Sequence, residues 1–236
     1  MLVATDHVPL LLNRLCRHAV ASIGEVTLVE SERAGLADTL ASVGPDAPTL
    51  CAGWTTTDLA LHVVLRERLD PANPGARVPG SDSPRLERRR RRILARHGFL
   101  GLVELVRQGP PRFSPFGVPG AARWLNTIEL FVHHEDVLRA QPNSTRRVLP
   151  SDAQDELLKH LKKLAPLMLR RCPTGVDALL PDGTTVQLHK GDEAAILAGQ
   201  PSEIILYLEG RRSEADITIL GAAGGREALA HLRLKA

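Results

Sequence analysis

A short segment between residues 126 and 136 holds the side chains with the clearest chemical potential in the chain. On a helical wheel of about 100° per residue, Glu129, His133 and Asp136 fall within roughly 60° of one another. Leu130 and Phe131 lie on other faces, so we expect this helix to be largely buried. Ionisable groups that converge in a buried place are unfavourable unless they are paired or bound to a metal. The segment therefore predicts either a cluster of paired side chains or a metal site.

Glu129 and His133 are four residues apart, which places them one turn apart on the same helix face. At this spacing both side chains can reach one ion, as in other helical metal sites. Pairs of this kind are also common on helix surfaces, where a hydrogen bond between the two side chains satisfies both groups. From these two residues alone, we favour the hydrogen bond over a shared metal ion.

His62 strengthens the metal hypothesis because it lies among apolar residues on a second predicted helix. A histidine in such a setting is usually a core residue with its hydrogen bonds satisfied. Facing helices of a bundle can, however, bring His62 against Glu129 and His133. Two nitrogens and one carboxylate oxygen would make a three-ligand site with an open fourth position, which is typical of catalytic Zn²⁺. Divalent nickel, iron or cobalt would also fit this donor set.

Two segments carry a resemblance to a known family. Residues 50–62 read LCAGWTTTDLALH, and residues 129–137 read ELFVHHEDV. They resemble the mycothiol-dependent maleylpyruvate isomerase family, whose helix start G-W-[ST]-x-x-[DE]-[LV]-x-x-H precedes a later E-x-x-x-H-x-x-D helix. The second segment is especially similar to an uncharacterised metal-binding subgroup of that family. The matching positions in this chain are Gly53, Trp54, Thr55, Asp58, Leu59, His62, Glu129, His133 and Asp136.

The resemblance covers residues 30–140 well and implies a fold, a site and a cofactor. The fold would be α+β, with a DinB-like four-helix bundle followed by a small domain similar to sterol-carrier-like α/β domains. His62, Glu129 and His133 would be the metal ligands, and Asp136 would orient a ligand or a neighbouring helix. Mycothiol would be the co-substrate. The isomerase itself acts on a cis-unsaturated diacid, and other members are similar to thiol transferases that act on electrophiles.

Four further side chains near these motifs are candidate site residues. His134 lies on a different face from His133, so we expect a packing contact or partial exposure rather than a ligand. Cys51 can be reactive, but a small buried apolar residue is the commoner role, and Trp54 is expected to be a packing anchor. Arg66 lies one turn after His62 and can bind an anionic substrate, although a salt bridge is the commoner role for such an arginine.

Capping and breaker residues predict the helices that position these side chains. Thr55 and Asp58 have the spacing of a capping box, with Asp in place of Glu or Gln, and predict the start of the helix that carries His62. Gly98 ends an arginine-rich helix, and the chain continues either as a short helix or as the same helix with a kink. The predicted helices of the bundle cover residues 31–43, a segment that starts at Thr55 and ends before residue 70, residues 86–97 with a continuation over 99–107, and residues 121–140. Loops are predicted at residues 70–84 and 112–120.

From residue 152 onward the sequence pattern includes strands as well as helices, and it predicts a small α+β domain. Residues 176–180 and 184–188 read as a β-hairpin around a turn that contains Gly183. Further strands are predicted at residues 194–197 and 217–220, and helices at residues 152–171, 202–209 and 226–232, the first with a kink or break at Pro166. The domain boundaries are therefore 29–142 and 150–236, after a poorly determined extension over residues 1–28 to which we assign no function.

Composition narrows the possible classes of protein. Hydrophobic residues make up 43% of the 236 residues and charged residues 24%, which excludes a wholly disordered chain. No apolar run is long enough to cross a bilayer, so we expect no membrane partner. Three widely spaced cysteines do not form a disulfide framework, which favours a cytoplasmic location.

The net charge of +3 includes one strongly basic block, five arginines at residues 88–92. Such a block can bind nucleic acid or phosphate, or it can be the solvated face of a helix. We favour the solvated face, because apolar residues around the block follow a helical pattern and aromatic residues are only 3% of the chain. We expect no nucleic-acid partner.

The leading functional hypothesis is a divalent-metal-dependent enzyme that uses a low-molecular-weight thiol such as mycothiol, of the isomerase or thiol transferase type. Its partner would be a small-molecule thiol or electrophile, its metal Zn²⁺, and its state a monomer or homodimer. The alternative is a non-catalytic metal-binding or regulatory protein built on the same three ligands. An accessible fourth coordination position would favour the enzyme.

Overall fold

The structure, a computed structural model, describes residues 26–68, 84–111 and 121–232. Almost all of the predicted extension over residues 1–28 and of the loop over residues 70–84 lies outside these ranges, as does the loop over residues 112–120. Within the described ranges, no helix is both long and apolar enough to cross a membrane.

The chain forms an α+β protein, as predicted. A helical bundle is followed by a smaller region of helices and a mixed sheet, which we call the second domain. The bundle contains helices α1 (Leu28–Val43), α2 (Thr56–Arg68), α3 (Pro84–Gln108) and α4 (Ala121–Arg139). The second domain contains α5 (Ser151–Met168), β1 (Val176–Leu179), β2 (Thr185–His189), β3 (Ala195–Ala198), α6 (Pro201–Leu208), β4 (Thr218–Gly221) and α7 (Ala223–His231).

Two helices of the bundle begin at capping boxes. The Thr55 backbone N–H donates to the Asp58 carboxylate at 3.1 Å, and the Asp58 N–H donates to Thr55 Oγ1 at 3.3 Å, as the sequence predicted. Helix α1 begins three residues before Ser31, the start that the sequence predicted. Thr27 caps that helix, because its N–H donates to the Glu30 carboxylate at 3.0 Å.

The arginine-rich helix α3 kinks at Gly98, where φ is 59° and the backbone leaves helical geometry. The structure has two helical segments that meet across this kink, so both descriptions that the sequence left open, a second short helix and a kinked helix, apply. Helix α5, by contrast, continues past Pro166 to Met168 and ends three residues before the predicted Arg171.

Helix α4 is buried on nearly all sides because it lies between two hydrophobic cores. Leu130 and Val137 pack into the bundle core, with residues of α1, α2 and α3. Ile128, Phe131 and Val132 pack into the other core, which includes α5, α6 and the sheet. Because the helix contacts apolar residues in both directions, it is apolar around much of its circumference, as predicted.

The sheet of the second domain has the strand order β2-β1-β3-β4. Strands β1 and β2 form the predicted antiparallel hairpin, β1 pairs with β3 in parallel, and β3 pairs with β4 antiparallel. The parallel pair needs a longer connection than the hairpin. Leu188 on β2 and Leu197 on β3 point into the same core as α6. Every residue of α6 is buried.

Five charged side chains form an interdomain ion-pair network. Glu32 of α1 and Glu135 of α4 both bind Arg147, and Glu135 also accepts a hydrogen bond from Arg139 at 2.5 Å. The Arg139 guanidinium donates two further bonds, of 2.6 and 3.0 Å, to Glu203 of α6. Burial lowers the pKa of Arg139, but Glu203 and Glu135 raise it by more, so the net shift of this pKa is upward and Arg139 stays charged.

The arginine run at residues 88–92 lies on the solvent side of α3, as predicted. Arg90 pairs with Asp58 at 3.1 Å, Arg91 pairs with Glu87 at 2.8 Å, and Arg89 donates to a backbone oxygen of α2 at 3.4 Å. These are partly or fully exposed interactions, which contribute about 0 to 1 kcal/mol each.

We expect simultaneous replacement of Arg89, Arg90 and Arg91 by Gln to leave the fold and the metal content unchanged. The reason is that the ion pairs and the hydrogen bond of these arginines lie toward solvent, away from the buried face of the helix. Circular dichroism and elemental analysis of the purified variant test this. A loss of tight, salt-sensitive nucleic-acid affinity in the variant would instead support the binding interpretation of the run.

Candidate metal centre

His62 of α2 and Glu129 and His133 of α4 converge on one point. The Nε2 atoms of His62 and His133 lie 3.1 and 3.3 Å from the same oxygen, Glu129 Oε1. One ligand atom from each of the three residues lies within 4.8 Å of the others. We call these three residues the His62 cluster.

These distances fit a metal ion as well as they fit direct hydrogen bonds. Ligands about 2.0 to 2.2 Å from a tetrahedral Zn²⁺ lie roughly 3.3 Å from one another. The two nitrogen-to-oxygen distances are therefore already close to a tetrahedral edge. Both histidine rings are nearly buried, whereas the side chain of Glu129 is 31% exposed. An ion held there would lie near solvent on the glutamate side.

The pKa shifts in the His62 cluster favour a negatively charged Glu129 beside a positively charged His133. Burial raises the pKa of Glu129, but hydrogen bonds from His133 and His62 and the charge of Arg66 outweigh it, so the pKa lies well below its usual range. Burial lowers the pKa of His133, but hydrogen bonds to Asp136, Cys51 and Glu129 raise it well above the usual range. Burial dominates at His62, where the pKa is lowered. A metal on His133 Nε2 would therefore displace a proton.

Asp136 lies behind His133 and does not face Glu129. Its Oδ2 atom lies 2.9 Å from His133 Nδ1, so the carboxylate holds the ring with Nε2 directed at Glu129. Burial raises the pKa of Asp136, but His133 and Arg211 lower it to about 2. That Asp136 orients His133 and does not bind the metal itself stays a prediction.

Arg211 is the residue that the sequence analysis missed. It belongs to the second domain, yet its Nε and Nη2 atoms donate to the two oxygens of Asp136 at 2.8 and 2.6 Å. Such a two-point contact fixes the plane of the carboxylate as well as its position. The second domain therefore completes the surroundings of the centre.

The turn after α6 places Arg211. Gly210 has a φ of 93° and donates to the Tyr207 carbonyl, while the Arg211 N–H donates to the Leu206 carbonyl at 2.9 Å. These are the two hydrogen bonds of a Schellman motif, for which glycine at the left-handed position is preferred. The glycine just after the predicted helix was the available signal for this turn, but the partner of Arg211 had no signal in the sequence.

Cys51 is part of the polar surroundings and not the buried apolar residue that we favoured. Its side chain is half-buried, and Sγ donates to Asp136 Oδ2 at 3.2 Å. The sulfur also lies 3.6 Å from Arg211 Nη2 and 4.0 Å from His133 Nδ1. The polar character follows from its place in the loop before α2, directly against the buried face of α4.

Arg66 and Trp54 lie on the other side of the His62 cluster. Arg66 Nε lies 3.4 Å from Glu129 Oε1, and its Nη1 donates to Asn126 Oδ1 at 2.5 Å. The Trp54 ring packs against the His62 ring, with centroids 5.1 Å apart. Arg66 thus forms the salt bridge that the sequence analysis held to be its commoner role, and it does so beside the centre.

His134 does not join the cluster, as predicted, because it points to α1. Its Nδ1 atom lies 2.8 Å from Glu32, and its Nε2 atom lies 3.0 Å from Thr39 Oγ1. The ring is buried and not partly exposed. A methyl group at Gly35 would lie 2.6 Å from the ring, so the small residue is needed for the close approach.

Comparisons with known proteins bear on the fold. No protein-family model matches the sequence, and no curated protein does either. A solved structure described as the mycothiol-dependent maleylpyruvate isomerase is similar to this chain, with 18% identity, a TM-score of 0.53, and coverage of 85% of this chain and 92% of that one. A histidine-to-alanine mutant of the isomerase matches with the same identity and coverage and a TM-score of 0.47. The chain therefore has the fold of that isomerase, as the sequence resemblance implied.

Proposed function

We propose that the chain is a divalent-metal-binding protein that acts as an enzyme with a low-molecular-weight thiol such as mycothiol, of the isomerase or thiol transferase type. The observation that carries this proposal is the convergence of His62, Glu129 and His133, in a protein with the fold of a mycothiol-dependent isomerase. Two imidazole nitrogens and one carboxylate make a donor set that Zn²⁺ accepts with a fourth position open.

Each residue around the centre has a distinct role in this proposal. His62, Glu129 and His133 would hold the metal, and a bound divalent ion would lower the pKa of a coordinated thiol or water and so supply a nucleophile near neutral pH. Asp136 keeps Nδ1 of His133 protonated and leaves Nε2 free to bind. The partial exposure of Glu129 supports an open coordination position and hence an enzyme over a non-catalytic metal protein.

Arg66 is proposed as the contact for an anionic group of the substrate. Its guanidinium lies within 3.4 Å of Glu129 and is close to the open side of the cluster. A metal ion on Glu129 would neutralise the carboxylate that Arg66 now pairs with, which leaves the arginine able to bind another anion.

We expect one equivalent of divalent metal per chain in the purified protein. His62→Ala and His133→Ala should each remove most of it, because each variant deletes one of the three ligands. Elemental analysis after gel filtration measures the content, and circular dichroism verifies the fold of both variants. Full metal content in both folded variants would show that the ligands were assigned wrongly.

A thiol-consumption assay then tests the second part of the proposal. The metal-loaded protein is incubated with mycothiol and a panel of electrophiles, including cis-unsaturated diacids. Loss of free thiol over time reports thiol transfer, and the ultraviolet absorbance of the diacids reports isomerisation, which consumes no thiol. Turnover in the wild type that is lost in His62→Ala supports the enzyme. Stoichiometric metal with no thiol turnover and no isomerisation would favour the non-catalytic metal-binding protein.

A further inference from the structure

A second set of ligand atoms lies on the other side of the His133 ring from the His62 cluster. Cys51 Sγ, His133 Nδ1 and Asp136 Oδ2 all lie within 4.8 Å of one another. We call these three residues the Cys51 cluster. The two clusters share His133 but use opposite nitrogens of its ring, Nε2 in the first and Nδ1 in the second.

The ligand atoms of the Cys51 cluster suit a cation that prefers sulfur at least as well as those of the His62 cluster do. A thiolate, an imidazole and a carboxylate are all zinc ligands, and the sulfur favours soft ions such as Cd²⁺. Its three separations are 3.2, 2.9 and 4.0 Å. Each is within about 0.5 Å of the edge of a tetrahedron with ordinary zinc bond lengths.

A cationic side chain already occupies this position. Arg211 donates to both oxygens of Asp136, at 2.8 and 2.6 Å, and its Nη2 atom also lies 3.6 Å from Cys51 Sγ. The guanidinium therefore contacts two of the three ligand groups. It neutralises a carboxylate that is fully buried, and it does not lose its charge at any ordinary pH.

We propose that Arg211 acts as an internal cation that keeps metal ions out of the Cys51 cluster. With Arg211 in place, Asp136 accepts from His133 Nδ1 and only Nε2 is available to a metal. Without it, the Cys51 cluster becomes a second site that takes a soft divalent cation through sulfur.

The inference goes beyond the proposed function and does not need the His62 cluster to be loaded. The experiment compares the wild type with Arg211→Met, Arg211→Lys, and Arg211→Met combined with Cys51→Ser. Each protein is dialysed against Cd²⁺ and, separately, Co²⁺. Elemental analysis then gives the stoichiometry, and the thiolate-to-metal charge-transfer absorption reports sulfur ligation.

The wild type and Arg211→Lys should show no sulfur-bound ion, because both keep a cation at Asp136. Arg211→Met should gain one equivalent with the charge-transfer band, and the added Cys51→Ser change should abolish both. Should Arg211→Met fail to fold, Arg211→Gln can still donate to Asp136 and carries the same expectation.

Three results would overturn the inference: a charge-transfer band in the wild type, no band in a folded Arg211→Met or Arg211→Gln variant, or a band that persists without Cys51. The metal content of the wild type tests the proposed function separately, so either idea can fail while the other stands.

Discussion

Replacing Glu129 with Gln is expected to empty the metal centre under conditions where Asp136→Asn only weakens it. Glu129 contributes the oxygen on which both histidines converge, at 3.1 and 3.3 Å. Within the His62 cluster, the contact of Asp136 is with the far side of the His133 ring. Loss of such an outer contact costs about 10- to 100-fold in metal affinity, and loss of a carboxylate ligand should cost more. Competition titration with a chromogenic chelator measures both affinities.

Glu104→Gln is the matched control for this comparison. Glu104 lies on the exposed surface of α3 and pairs weakly with Arg107, at 3.8 Å, so the metal affinity should not change. A tighter-binding Glu129→Gln than Asp136→Asn would show that Asp136 is the carboxylate ligand.

The second large effect is expected on stability, from Arg139→Met. The side chain of Arg139 is 5% exposed and binds Glu135 and Glu203, whose side chains are 2% and 10% exposed. Removal of one partner from a buried ion pair leaves uncompensated charge and costs about 3 to 5 kcal/mol. Urea denaturation of the variant and the wild type at neutral pH gives the difference in the free energy of unfolding.

Arg146→Met is the control for that loss. Arg146 pairs with Asp216 at 3.5 Å, and the two side chains are 51% and 72% exposed. Its removal should cost no more than about 1 kcal/mol. If both variants lose the same small amount, the interdomain ion-pair network does not stabilise the fold as argued. The double variant Arg139→Met with Glu203→Gln would then show whether the two residues are coupled.

Most of the elements could be predicted because their signals are local. The capping box at Thr55 and Asp58, the kink at Gly98 and the hairpin turn at Gly183 each depend on residues within a few positions of one another. The prediction for the start of α1 was wrong because two local signals compete there. Thr27 and Glu30 form a capping box, and Ser31, four residues later, is also a residue type that caps helices.

The residues of the candidate site also differ in whether the sequence carries a signal for their position. Glu129 and His133 share one helix, and the motif resemblance joined His62 to them, so their convergence could be expected. Arg211 lies 75 residues after Asp136 and reaches it only because the second domain packs on α4. No periodicity or turn signal encodes that approach.

The position of α4 between two cores has a consequence for modularity. A fragment that stopped at residue 142 would end at a natural break in the sequence, yet it would expose Ile128, Phe131 and Val132 to water. It would also leave Asp136 without Arg211, Glu135 without Arg147, and Arg139 without Glu203. The bundle therefore cannot be moved to another protein as an independent unit. Fusing it to a different partner would require the side of α4 that faces the second domain to be redesigned.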